Sequence, residues 1–154
     1  MEEMDPIFKE YHKRWYLHLK AKRDFDKLQN SIDSVISELS KTVTEMKEEV
    51  SHDNSSQDKM GKLIAKKIDM EERIPYQEML VTSRKKRVEE KLEELKSSKD
   101  FRDIIYYLKF VSKFKVTEIA RVINYTREYT YDLISTLRVE MKKIEKEINE
   151  QNNH

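Results

Sequence analysis

A single glycine, Gly61, and two prolines, Pro6 and Pro75, serve a chain of 154 residues. Sheet folds turn on residues that tolerate positive φ or that lack an amide hydrogen. This scarcity therefore closes off β-sandwiches, barrels and Rossmann-type folds. An all-α chain is what it leaves. Charged residues make up 40% of the sequence and hydrophobic ones 37%, whereas ordinary domains carry about 25% charged residues. Solvated helix faces thus outweigh core positions, and much of the chain is expected to be elongated.

The same composition narrows function. With no Cys, disulfides, thiolate catalysis and Cys-based zinc sites are excluded. The longest apolar run, residues 104–108, is far below the roughly 18 residues a membrane span needs. An acidic start (Glu2, Glu3, Asp5) argues against a secretory signal, so the expected location is cytoplasmic with no membrane partner. A net charge of +1 gives no global attraction to nucleic acid. DNA binding would need a local concentration of charge.

Aromatic residues divide the chain. Phe8, Tyr11, Trp15 and Tyr16 stand near the start, eight more lie at or beyond Phe101, and none falls between Phe25 and Tyr76. Asp5 and Pro6 suit the start of a helix that runs to about Val50. Along it, Phe25, Leu28, Ile32, Val35, Leu39, Thr42 and Met46 recur at alternating spacings of 3 and 4, the seam of a coiled coil. The polar stretch 51–56 reads as a loop. A second helical stretch, residues 57–96, carries Met60, Leu63, Ile64, Ile68, Met70, Ile74, Val81, Val88, Leu92 and Leu95. Pro75 in its interior predicts a kink or break. The two stretches can fold back as an antiparallel hairpin about 60 Å long, or the seam can serve a homodimer through Phe25, Leu28, Ile32, Val35, Leu39 and Met46. Residues 97–100 punctuate again, with Ser98 or Asp100 as a cap. The expected division is a helical region, 1–97, and a C-terminal unit, 98–154.

The C-terminal unit reads as three helices: residues 101–111, residues 116–123, and a third that follows Thr126 and continues past Met141. Residues 116–135 fit the helix-turn-helix pattern. Ile119 and Ile123 face inward, and Ala120 is small where the next helix crosses. Asn124 occupies the turn position that needs positive φ. Tyr125 plugs the turn, Thr126 caps the third helix, and Thr130, Leu133 and Leu137 return to the core. Thr130 stands where a larger aliphatic residue is usual.

Residues 108–111 (Leu-Lys-Phe-Val), 116–120 (Val-Thr-Glu-Ile-Ala) and 124–126 (Asn-Tyr-Thr) resemble region 4 of bacterial sigma factors. They are similar more closely to small phage and prophage regulators of Gram-positive bacteria, of the kind of the ArpU and RinA late-operon activators. The resemblance covers about residues 104–138 and implies DNA binding upstream of phage genes inside a bacterial host cell. It also implies contact with RNA polymerase for some members. This chain departs from the pattern with Asn124 in place of the turn glycine and with acids at Glu128 and Asp132.

In such a unit the third helix enters the major groove. Its outward residues are Arg127, Glu128, Tyr131, Asp132 and Ser135, next to the cap Thr126. Arg127 suits a guanine, while Glu128 or Asp132 suits a cytosine amino group. Tyr131 suits a thymine methyl or a phosphate. Lys109, Lys113, Lys115, Thr117 and Arg121 form the flank that would hold phosphates. Between residues 109 and 127 five cations face one acid, enough for about three to five phosphate contacts.

No signal for catalysis competes. His12 and His18 are six residues apart, on different helical faces, and with His52 make no metal set. One glycine cannot build a phosphate-cradling loop, and no cofactor is expected. The acids Glu89, Glu90, Glu93 and Glu94 follow the basic run 84–87 at the spacing of helix ion pairs. Phe8, Tyr11 and Trp15 suit a cap on the hairpin, packing on the C-terminal unit, or a partner site. The expected function is sequence-specific regulation of transcription on double-stranded DNA. Two alternatives stand beside it: a sigma mimic that binds polymerase, a repressor or another phage or host protein, and a recognition subunit for DNA packaging.

Overall fold

The computed structural model describes residues 5–48 and 55–152, and every regular element among them is helical. Five α-helices follow in order: α1 (Ile7–Glu48), α2 (Ser55–Ser97), α3 (Phe101–Tyr106), α4 (Val116–Ile123) and α5 (Arg127–Asn152). A π-helical turn, Tyr107–Val111, extends α3. The all-α expectation holds. The expected loop falls at 51–54, outside the described residues, whereas Ser55 and Ser56 already belong to α2.

Two compact units emerge, one made of residues 20–83 and the other of residues 1–19 with 84–154. This division differs from a boundary at residues 97–98, because the start of α1 and the end of α2 belong with the C-terminal helices. The reason is apolar. Phe8 and Tyr11 from α1 and Leu95 from α2 share one core with Ile105, Tyr106, Ile119, Ile134 and Leu137. The aromatic cluster at the start of the sequence thus packs on the C-terminal unit.

In the unit of residues 20–83, α1 and α2 lie antiparallel. Val35 faces Leu63 and Met70 across a shared crevice, and Glu38 pairs with Lys59 at 3.9 Å. Every residue of the α1 seam is buried or half-buried: Phe25, Leu28, Ile32, Val35, Leu39, Thr42 and Met46. Within the chain, α2 faces this stripe of Phe25, Leu28, Ile32, Val35, Leu39 and Met46, as the hairpin alternative has it. On α2 the facing residues are Met60, Leu63, Lys67, Met70, Ile74, Gln77 and Val81, while Ile64 and Ile68 are exposed. A spacing of 3 and 4 through Lys67 and Gln77 outweighs the hydrophobicity of the two isoleucines. Pro75 does not end the helix: α2 runs through it. Its ring is on the exposed side, where water can satisfy the carbonyl left free one turn earlier.

A buried carboxylate ties the second unit together. Asp103, fully buried on α3, accepts hydrogen bonds from the Ile7 and Phe8 backbone N–H groups at 3.1 and 2.8 Å. The Ser98 hydroxyl donates to it at 2.6 Å. The first turn of α1 exposes amides with no helical partner, and an anion is favourable there. Asp103 therefore caps a helix that began 96 residues earlier in sequence. Asp100 caps α3 itself, accepting from the Arg102 N–H at 2.9 Å. The Arg102 side chain beside it holds the Asp100 carboxyl below the usual carboxylate range. Arg84 donates to the Leu17 carbonyl at 2.9 Å and Arg14 to the Arg87 carbonyl at 3.1 Å, so part of the basic run fastens α2 to α1.

Candidate nucleic-acid interface

The bend between α4 and α5 is set by one residue. Asn124 adopts φ 62 and ψ 43, the left-handed conformation, which Asn tolerates better than other side-chain-bearing residues. The Tyr125 N–H then bonds back to the Ala120 carbonyl at 3.1 Å, which closes the end of α4. Thr126 caps α5, its hydroxyl oxygen accepting from the Tyr129 N–H at 3.2 Å. On α4, Ile119 and Ala120 are buried. The Glu118 carboxylate reaches back to the Lys115 N–H at 3.4 Å.

Thr130, the misfit in the pattern, is fully buried. Its hydroxyl donates to the Thr126 carbonyl at 2.8 Å, so a polar side chain sits in the core without an unmet hydrogen bond. Ile134 and Leu137 are buried along the same side and Leu133 is half-buried. The opposite side of α5 is open. Arg127, Glu128, Tyr131, Asp132 and Ser135 recur at spacings of 1, 3, 1 and 3, and all are exposed. So are the flanking residues Lys113, Lys115, Thr117, Arg121 and Thr126, whereas Lys109 on the π turn is half-buried. The ten residues singled out from sequence are thus solvent-accessible, and five of them lie on one face of α5.

Several details escape a reading by pattern. The Arg127 guanidinium lies over the Tyr131 ring, 5.7 Å from its centre, one helical turn away. A cation held on an aromatic face loses less freedom when it meets a base. Arg138 lies similarly over Phe110 at 5.8 Å. Tyr125 does not plug the turn: it is 51% exposed, its ring edge-on to Phe101 at 5.3 Å and tilted against Tyr129 at 5.0 Å. Val122 is exposed as well. From residue 113 to 138 the charges are five cations and three acids, a mixed rather than uniformly basic surface.

A second polar assembly lies under α1. His12, 1% exposed, sits between the Tyr106 hydroxyl, 2.9 Å from Nδ1, and the Glu145 carboxylate, 3.3 Å from Nε2. A carboxylate only accepts, so Nε2–H donates to Glu145 and Nδ1 accepts from the Tyr106 O–H. Burial pushes the His12 pKa below its ordinary value, and Glu145 partly opposes that. Burial likewise pushes the Tyr106 phenol well above its ordinary range. Among the described residues no group of three or more His, Cys, Asp or Glu side chains could hold a metal, and no helix is long and apolar enough to cross a membrane.

No protein-family model, curated protein or solved structure matches the chain.

Proposed function

We propose that this chain binds double-stranded DNA sequence-specifically and regulates transcription, in the manner of the phage and prophage regulators its C-terminal sequence resembles. One observation carries the reading: the left-handed bend at Asn124 sets α5 across α4 with its first two turns open on the outer side. A helix so placed fits a major groove of about 12 Å, braced by α4 against the backbone. Arg127 then reads a guanine, Glu128 or Asp132 a cytosine amino group, and Lys113, Lys115 and Arg121 hold phosphates. Homodimerisation belongs to the proposal, because two linked units bind through effective concentration. With the α1 seam engaged by α2, a dimer draws on another surface.

Gel-shift titrations against promoter fragments from the chain's own genome neighbourhood test this. Arg127→Ala is expected to cost about 1–3 kcal/mol and to relax preference at one base position. Lys115→Ala weakens all fragments alike and lowers the salt slope by about 1. Failure to shift any fragment contradicts the proposal.

A protein-binding reading draws on a specific observation, the acids Glu128 and Asp132 among the exposed rings of Tyr125, Tyr129 and Tyr131. Acids repel phosphates, and tyrosines are enriched at protein interfaces. A polymerase or repressor partner that survives nuclease treatment in a pull-down, together with no gel shift, favours it. A DNA-packaging subunit would instead give the light-scattering mass of a ring.

A further inference from the structure

The exposed face of α5 does not use the cavity on another side of the same unit. This cavity, about 290 Å³ in volume, lies between the start of α1, the π turn and α5, and is lined by Tyr11, His12, Trp15, Phe110, Lys113 and Met141 among others. Its walls are an ordered set of rings. Trp15 stacks on His12 at 5.3 Å with 27° between planes, Tyr106 meets His12 edge-on at 5.9 Å, and Phe110 leans on Tyr106 at 5.3 Å. Trp15 remains 37% exposed, so one large ring face is left for something else to cover.

Charge reaches the lining directly through Lys113, while the Glu145 carboxylate bonds His12 and the Arg138 guanidinium lies over Phe110. The imidazole of His12 is satisfied on both nitrogens within the protein, so it offers a surface but no spare donor. Lys113 is the only charged residue of the lining, and no acid among the described residues forms an ion pair with it. Its backbone is unusual as well. At φ 61 it occupies the left-handed position that ends a helix, where Gly is common. The Ser112 N–H bonds to the Tyr107 carbonyl and the Phe114 N–H to the Leu108 carbonyl, both at 2.9 Å. These two bonds fix where the lysine leaves the chain. π turns and left-handed residues with side chains cost stability and gather at functional sites.

We infer that this cavity binds a planar aromatic anion of bicyclic size, its ring against Trp15 and Phe110 and its carboxylate on Lys113. The volume suits one such molecule rather than a peptide or a nucleotide. Stacking on Trp15 supplies contact, and Lys113 supplies selectivity for acids over neutral analogues. This binding does not rest on the DNA-binding proposal, which gives Lys113 to a phosphate instead, and it is measured without DNA.

Trp15 is the only tryptophan, so the full chain labelled with nitrogen-15 gives a single indole N–H signal. Titration with 2-naphthoate is expected to move that signal saturably, and 2-naphthamide to bind more weakly. Lys113→Asn keeps a residue that tolerates the left-handed backbone and is expected to weaken naphthoate about fivefold. It leaves naphthamide unchanged, and Lys113→Arg restores the preference for the acid. No saturable movement at millimolar naphthoate, or equal affinity for acid and amide, overturns the inference. So does a Lys113→Asn protein with an unshifted indole signal and undiminished naphthoate binding.

Discussion

Asp103 shows what one residue can hold. Two backbone amides and a hydroxyl converge on its buried carboxylate, and removing it strands all three. Asp103→Ala is expected to cost about 3–5 kcal/mol, and Asp103→Asn less because one oxygen remains. Urea midpoints at unchanged m-value measure both. His12 gives a pH signature. Its native pKa lies below the ordinary 6.5, so below about pH 6.5 the unfolded chain takes up a proton that the native state refuses. Stability is full above that point and falls as pH drops through the native value, by at most about 1.4 kcal/mol per pH unit. Glu145 and Tyr106 face the imidazole and Trp15 covers it. His12→Gln is expected to flatten the slope of urea midpoint against pH below about 6.5. Asp100, held low by Arg102, acts only as pH falls below 3.8.

At the scale of elements, sequence was informative where the determinants are local. Asn124, Thr126 and the inward set Ile119, Ala120, Leu133 and Leu137 lie within 19 residues, and α4, the bend and α5 form where their spacing predicts. The seam of α1 announced a need for a partner helix, but periodicity cannot say whose helix it is; α2 fills it. Pro75 does not break α2, for a related reason. Its local penalty is real, yet the contacts of a 43-residue helix outweigh one missing hydrogen bond. Pro75→Ala is therefore expected to stabilise the chain by about 1–3 kcal/mol, read as a higher urea midpoint at unchanged helical content by circular dichroism. The cap on α1 and the Tyr106–His12–Glu145 chain were not legible, because their partners lie 94–133 residues apart and no pattern of spacing marks them. The aromatic cluster Phe8 and Tyr11 was the available signal: apolar residues too large for a solvated end, with no seam of their own.

For the molecule as a whole, the helix-turn-helix is not a detachable module. Phe8, Tyr11 and Leu95 belong to its core, and Asp103 looks for its amides on α1. Residues 98–154 alone are expected to lack stable tertiary structure, seen as collapsed amide dispersion and a non-cooperative melt, whereas the full chain melts cooperatively. The same arrangement governs how the protein is made. As the chain leaves the ribosome, Phe8 and Tyr11 emerge well before α5, which carries Ile134, Leu137 and Glu145. The paired middle of the chain has its contacts early, but Phe8 and Tyr11 stay unsheltered until α5 has followed. Closure of this core therefore waits for α5, and a chain cut short before it keeps Phe8 and Tyr11 uncovered.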